Sequence, residues 1–313
     1  MKDLLNHLVE YKSLSKETAK EVLIRLAQGS YPDSQVAAFL TIYLMRSITV
    51  QELDGFREAM LHLCTPVEIP EYDAIDLCGT GGDAKNTFNI STLASFVVAA
   101  AGQPVAKHGN NGVSSVSGSS NLMAHFGYRF TNDIDQIRKS MDTCGLCFLH
   151  APLFHPALKN VAPIRRALEV KTFFNILGPM VNPAFPRKQL VGVFSLETAR
   201  LYGYLYQKSA GNFVILHSLD GYDEISLTGP FKKIGPRQEA VLKPADLGMD
   251  TVAPQAIEGG ATVEESAGIF ERILKGKGTK AQNQVVIANA AMALQCGLDL
   301  SLDDAIGKAE EAL

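Results

Sequence analysis

From residue 73 onward, short apolar runs alternate with helix-patterned segments, and this alternation constrains the fold more than any other feature of the chain. "AIDLCG" (74–79) reads as a strand, and a helix is expected from about Ser91 to Ala101. "PVAKHG" then reads as a strand and "SSNLMAHFG" as a helix. "LCFLHAP", "QLVGVF" (189–194) and "FVILH" (213–217) are further strands. Such alternation builds a sheet flanked by helices. The first sixty-odd residues differ, being helical throughout. Ser15 caps a segment with Ala19, Val22, Leu23 and Leu26 on one face. Asp33 or Ser34 opens "SQVAAFLTIYLMRS", and Thr49 with Glu52 makes a capping box ahead of Leu53, Phe56, Met60 and Leu63. "TPVEIPEY" (65–72) loses all periodicity and carries two prolines, so it reads as a linker. The expected class is α/β. A small all-helical N-terminal domain covers 1–65, and a large α/β domain with a central sheet flanked by helices covers 73–313.

Hydrophobic residues at 46% and charged residues at 20% suit a soluble globular chain with a substantial core. The formal charge of −4 lacks the basic excess that sequence-independent binding to phosphates needs, so no nucleic-acid partner is expected. Five cysteines, an odd number, fit a reducing cytoplasm better than a disulfide framework. The N-terminus lacks the apolar stretch of a signal peptide, and runs such as "FVVAAAG" (96–102) are too short to span a bilayer. A cytoplasmic location away from membranes is expected.

The chemistry concentrates in a few segments. "DLCGTGGDAKNTFNIST" (76–92) puts Gly79, Gly81 and Gly82 within four positions, followed by Asp83, Thr87, Asn89, Ser91 and Thr92. Glycine costs conformational entropy, so a ligand close to bare backbone is expected here. A strand, a glycine loop and a helix start form an anion site from inward N–H groups and the helix terminus. A tight turn with an N-cap would need no ligand, but it does not account for the run of short polar side chains. The spacing fits neither a dinucleotide fingerprint nor a G-x-x-x-x-G-K-[ST] loop. "AKHGNNGVSSVSGSSN" (106–121) is a second polar glycine loop, with Lys107 and His108 at its base. The strands ahead of the two loops are expected to end on one sheet edge, where α/β ligands bind. Arg165 and Arg166 stand in a mainly apolar helical stretch and could hold a carboxylate or serve as surface ion-pair partners. Asp223 and Glu224, adjacent on a loop just ahead of a strand, form a plausible magnesium site or a solvated acidic turn. Cys144 and Cys147 make a C-x-x-C that runs into an apolar strand, which favours buried thiols over zinc or redox chemistry.

Taken together, "GTGGD", "NTFNIST", "AKHGN", "SSVSGS", "HPALKNVAPIRRAL", "FNILGPMVNPA" and "DEISLTGP" resemble the anthranilate phosphoribosyltransferase family, in its order and spacing, over nearly the whole chain. The resemblance implies a fold of the nucleoside phosphorylase/phosphoribosyltransferase type. Part of 155–184 rejoins the helical domain, the substrate cleft lies at a hinge, and the enzyme is a homodimer through the helical part. It implies that phosphoribosyl pyrophosphate is held by Gly79, Gly82, Asp83, Thr87, Asn89, Ile90, Ser91 and Thr92. A second loop would close over that donor with Lys107, His108, Gly109, Asn110, Asn111, Gly112, Val113, Ser114, Ser115 and Ser119. It further implies that Gly79, Asn110 and Arg165 contact anthranilate, with Arg165 on its carboxylate. Ser91, Asp223 and Glu224 would hold Mg²⁺, two ions being expected. No acid or base is assigned, and His108 is given at most a positioning role toward the amine.

Two departures stand out. Asn111 and Gly112 follow "KHGN" where arginine is common, which removes a cation from the donor loop, and the chain ends at "KAEEAL", short of that family's usual C-terminal helix. A pyrimidine nucleoside phosphorylase would share the glycine loop but not "NIST", "VAPIRR" and "DEISLTGP" together. A nucleic-acid-binding relative would need a basic surface, against the net negative charge.

Overall fold

Side-chain capping starts two of the four N-terminal helices. The structure, a computed structural model, describes residues 1–112, 116–209 and 211–313. It opens with α1 (Lys2–Val9), α2 (Lys16–Ala27), α3 (Asp33–Met45) and α4 (Val50–Leu63). Ser15 accepts from the Thr18 N–H at the head of α2, and the Thr49–Glu52 capping box closes on α4. Helix α3 starts after Pro32 without a side-chain cap. There follow β1 (Ile75–Gly79), α5 (Ile90–Ala100), β2 (Val105–Gly109), α6 (Ser119–His125), α7 (Ile134–Cys144) and β3 (Leu146–His150). Short helices α8 (Ala151–Phe154), α9 (Ala162–Leu168) and α10 (Phe174–Leu177) come next. The chain continues through β4 (Lys188–Gly192), α11 (Leu196–Tyr206), β5 (Asn212–Ser218), β6 (Phe231–Ile234) and β7 (Glu239–Leu242). It closes with α12 (Val263–Leu274), α13 (Lys280–Leu298) and α14 (Leu302–Ala312).

These elements divide into two units, Met1–Pro66 with Pro152–Pro183, and Val67–Ala151 with Ala184–Leu313. In the helical unit α2 packs on α4 and α3 on α9, and the Asn160 side-chain amide donates to the Ala27 carbonyl at 2.7 Å. Its core is aromatic. Phe56 stacks on Phe173 at 4.5 Å and Phe173 on Phe174 at 4.7 Å, while Phe39 and Tyr43 meet Phe56 and Phe173 edge-on.

Glu52, fully buried, anchors this unit. Its carboxylate accepts from the Leu14 N–H, the Thr49 N–H and hydroxyl, the Tyr43 hydroxyl and both Arg46 terminal nitrogens. Burial pushes this carboxyl up, but Arg46 and the N–H donors outweigh it and hold it below the ordinary range.

The second unit carries one seven-stranded sheet of order β3-β2-β1-β4-β5-β6-β7. The first five are parallel, and β6 and β7 add as an antiparallel hairpin. Strand order reverses between β1 and β4, so the switch point where α/β ligands sit lies at their C-terminal ends. Helix α13 is apolar nearly all round, with Val285 to Leu294 buried, and packs on α5, α14, β4 and β5. No single helix among the described residues is long and apolar enough to cross a membrane.

Two sequence expectations change. The strand after Asp223 and Glu224 begins only at Phe231, because 225–230 is irregular, with Leu227 left-handed at φ 58°. Cys144 is exposed at the end of α7, whereas Cys147 is buried in β3, so only one thiol of the C-x-x-C is inside.

Replacing Glu52 with glutamine leaves the Arg46 charge buried without its counter-ion. We expect Glu52→Gln to lower unfolding free energy by about 3 kcal/mol. Urea unfolding followed by circular dichroism measures this, and a loss under about 1 kcal/mol would mean that Arg46 is solvated in the native state.

Candidate functional site

The site grows from strands that end in glycine. A Cβ on Gly79, the last residue of β1, would lie 2.5 Å from Asp223 Oδ2, and one on Gly192, the last of β4, would overlap the Asp223 carbonyl oxygen. The carboxylate turn therefore lies directly across the switch point, and only bare backbone lets it do so. Beyond β1 the chain turns through Gly81 (φ 62°) and Gly82 (φ 77°). The Gly81 N–H donates to Asp223 Oδ2 at 2.7 Å, and the Ser91 N–H, in the first turn of α5, donates to Glu224 Oε1 at 2.8 Å. Glu224 thus sits at the α5 N-terminus, where the helix dipole favours a carboxylate.

From behind, the core helix α13 pins the same turn. Asn289, 2% exposed, accepts from the Ile225 N–H at 3.1 Å and donates to its carbonyl at 2.9 Å. Ser218 Oγ donates to the Glu224 carbonyl at 2.7 Å. A lone asparagine inside the apolar run "NAAMAL" was the available signal for this contact.

Asp223 is buried, and Glu224 keeps a partly exposed edge while its carboxyl is enclosed by the surrounding chain. Desolvation drives both carboxyls up. Asp223 is raised well above the ordinary range, its neighbours Glu224 and Asp83 adding repulsion. Glu224 is raised to about 7, with Ser91 and Lys107 opposing the shift. Two desolvated carboxylates this close call for a cation. Mg²⁺ fits them, since it takes one or two carboxylates and completes its shell with phosphate oxygens and water. Among the described residues no three His, Cys, Asp or Glu side chains cluster into an all-protein cage.

The other expected residues fall as follows. Asp83 Oδ1 accepts from the Lys85 N–H at 3.0 Å, and Thr87 forms an antiparallel bridge with Glu258. Asn89 precedes α5 and donates its amide not to the helix but to the Ser117 carbonyl at 2.8 Å, tying the first loop to the second. Ile90 and Thr92 are each 1% exposed, packed into the core beneath the loop. Lys107, 2% exposed, donates to the Leu77 carbonyl and to Ser91 Oγ at 3.3 Å. Burial lowers its pKa against the pull of the nearby acids. The His108 N–H donates to buried Asp76 at 3.1 Å.

In the second loop, a Cβ on Gly109 would collide with Ser119 Oγ. Asn110, Asn111 and Gly112 are exposed, and Asn110 Oδ1 accepts from the Asn111 N–H at 2.8 Å. Val113, Ser114 and Ser115 lie outside the described residues. Asn121, missing from the sequence reading, accepts from the Gly112 N–H at 2.8 Å and the Gly118 N–H at 3.1 Å, so one amide staples both loop ends. Its signal was its place three residues after Gly118, at the helix start.

In the helical unit Arg165 is half-buried on α9 with its guanidinium 4.9 Å over the Phe174 ring, and burial lowers its pKa. Its Nη2 reaches Asn175 Oδ1 at 3.5 Å. Arg166 is exposed, so only Arg165 of the two arginines is desolvated.

Two family models match this chain, "Glycosyl transferase family, helical bundle domain" over residues 2–64 and "Glycosyl transferase family, a/b domain" over 71–313. The class is thus a two-domain glycosyl transferase. Anthranilate phosphoribosyltransferase of Flavobacterium psychrophilum is 59% identical over all of this chain and 95% of its own length. The crystal structure of the Thermus thermophilus enzyme superimposes with a TM-score of 0.92 at 31% identity, covering 99% of this chain and 94% of that one. The Saccharomyces cerevisiae enzyme in complex with PRPP and Mg gives 0.88 at 25% identity, with 98% and 92% covered. This chain belongs to the anthranilate phosphoribosyltransferase family.

The raised carboxyls set a pH dependence. Folded Glu224 keeps its proton to about 7, whereas unfolded it loses it near 4.5, so the folded state binds more protons between those values. Stability therefore falls as pH rises through that window. In metal-free buffer the melting temperature should drop from about pH 5 to 8. Glu224→Gln should flatten that drop, and an unchanged slope would mean that the pair is solvated.

Proposed function

We propose that this chain transfers the 5-phosphoribosyl group of phosphoribosyl pyrophosphate to the amine of anthranilate. The products are N-(5-phosphoribosyl)anthranilate and pyrophosphate, in tryptophan biosynthesis. The observation that carries this reading is the desolvated Asp223–Glu224 pair, held by Gly81 and Ser91 N–H groups beside a glycine loop. A site of this kind suits a magnesium pyrophosphate, and the family membership supports the acceptor.

The bond between the ribose anomeric carbon and the pyrophosphate oxygen breaks, a bond from that carbon to the amine nitrogen forms, and the surplus amine proton goes to the medium. Gly79, Gly82, Asp83, Thr87 and Asn89 to Thr92 bind the donor from the first loop. Lys107 to Ser115 and Ser119 bind it from the second. Negative charge develops on the pyrophosphate oxygens as they depart, and in this scheme the two polar glycine loops offset it. Ser91, Asp223 and Glu224 would hold two magnesium ions, which when bound offset that charge. Lys107 keeps the Ser91 hydroxyl in place through its 3.3 Å contact.

Gly79, Asn110 and Arg165 bind anthranilate. The Arg165 guanidinium, partly desolvated against Phe174, suits the carboxylate of a planar aromatic acid. Anthranilate's amine is neutral, so no strong general base is needed, and His108 is left to position it. We further propose a homodimer through the helical unit and a cytoplasmic enzyme, for which five free thiols are suited.

Anthranilate fluorescence tests the whole reading. It should decay only with protein, phosphoribosyl pyrophosphate and Mg²⁺ together and stop on chelation. No decay under those conditions refutes the transferase. Arg165→Ala should raise the KM for anthranilate roughly tenfold or more, the equivalent of one charged hydrogen bond, with the donor KM little changed. Equal rises in both would remove Arg165 from the carboxylate.

A further inference from the structure

A short segment far along the chain, 257–260, braces the outgoing limb of the first glycine loop. The Phe88 N–H donates to the Ile257 carbonyl at 3.3 Å, and the Gly259 N–H to the Asn86 carbonyl at 2.7 Å. Between those bonds Thr87 pairs with Glu258 as an antiparallel bridge, and the Asn86 side-chain amide reaches the Gly260 carbonyl at 3.3 Å. The brace is itself fixed. The Ala261 N–H donates to Glu265 Oε2 at 2.7 Å, and Thr262 caps α12.

The two glycines of this segment answer two different close approaches. A Cβ on Gly260 would lie 2.5 Å from Glu265 Cβ and from the Ser266 nitrogen, against the first turn of α12. One on Gly259 would lie 2.6 Å from the Thr87 carbonyl oxygen and 2.9 Å from its carbon. Both of those are backbone atoms, which have no rotamer to escape into. Any side chain at 259 must therefore push the brace and the loop apart.

We propose that Gly259 is a positioning residue for the phosphoribosyl-donor loop: its bare Cα lets the 257–260 brace close on Asn86–Phe88 and so sets where Thr87 and Asn89 meet the donor. This rests on the donor site proposed above. Neither Gly259 nor its neighbours touch the donor in this scheme. They act through the backbone of the loop that does.

Calorimetric binding of phosphoribosyl pyrophosphate with Mg²⁺, together with amide hydrogen exchange on the ligand-free protein, tests the proposal. Gly259→Ala should weaken donor binding about tenfold, as a small misplacement of binding groups does, and deprotect the Phe88 and residue-259 amides. The anthranilate KM should stay within about twofold. Glu258→Ala, which removes an exposed side chain and keeps the backbone ladder, should match the wild type. Should Gly259→Ala fail to fold, Asn86→Ala loosens the brace from the other side and should weaken donor binding about threefold. Unchanged donor binding in the Gly259 variant, or in the Asn86 variant where that stands in for it, overturns the inference. An equal loss in Glu258→Ala does the same. A wild type that binds no donor refutes the donor site itself, whereas a binding wild type with an indifferent Gly259→Ala refutes only the brace.

Discussion

Two desolvated carboxylates, with no salt bridge to either among the described residues, organise the larger unit. Asp223 and Glu224 are held by the Gly81 and Ser91 N–H groups, and burial and repulsion raise both. Much of the surrounding architecture exists to permit this. β1 and β4 end in glycine because the carboxylate turn lies across them, and α5 begins where Glu224 can meet its N-terminus. The core helix α13 commits a buried asparagine to the same turn. Two enclosed carboxyls without a counter-charge are costly to ionise, and it is this chemistry that suits them to a divalent cation.

The helical unit treats a buried carboxylate in the opposite way. Glu52 is buried, as Asp223 is, yet it meets a guanidinium, two hydroxyls and two N–H groups, and its pKa falls instead of rising. Its acceptor capacity is taken up within the protein, and the group is an anchor. Function and structure thus separate within one chain. A buried carboxylate paired with a guanidinium stays ionised and stabilises, whereas carboxyls enclosed without a counter-charge are pushed toward their protonated forms.

Legibility followed the range of the determining interactions. Caps at Ser15 and Thr49, the strands β1 to β5 and helices α5 and α6 were readable because their signals span a few residues. The β6–β7 hairpin was not, since "FKKI" and "EAVL" are only four residues each, lack apolar–polar alternation, and become strands by pairing, β6 with β5 and β7 with β6. The candidate site split in the same way. Its glycine loops, Lys107, Asp223 and Glu224 announced themselves by composition. Gly192 and Gly259 did not, because each answers a backbone approach from residues distant in sequence that leaves no local pattern, whereas Asn121 and Asn289 left only their placement, at a helix start and in an apolar run.

The residues alone determined the α/β class, the helical start, the two polar glycine loops and the chemistry they can address, because propensity, periodicity and side-chain type are local properties. The tertiary structure decided which carboxylates are enclosed together, which arginine of the Arg165–Arg166 pair is desolvated, and why glycine is required at 79, 192 and 259. Those outcomes depend on what lies within a few ångströms across the fold, and solvent exclusion and close backbone contact arise only once the chain has packed.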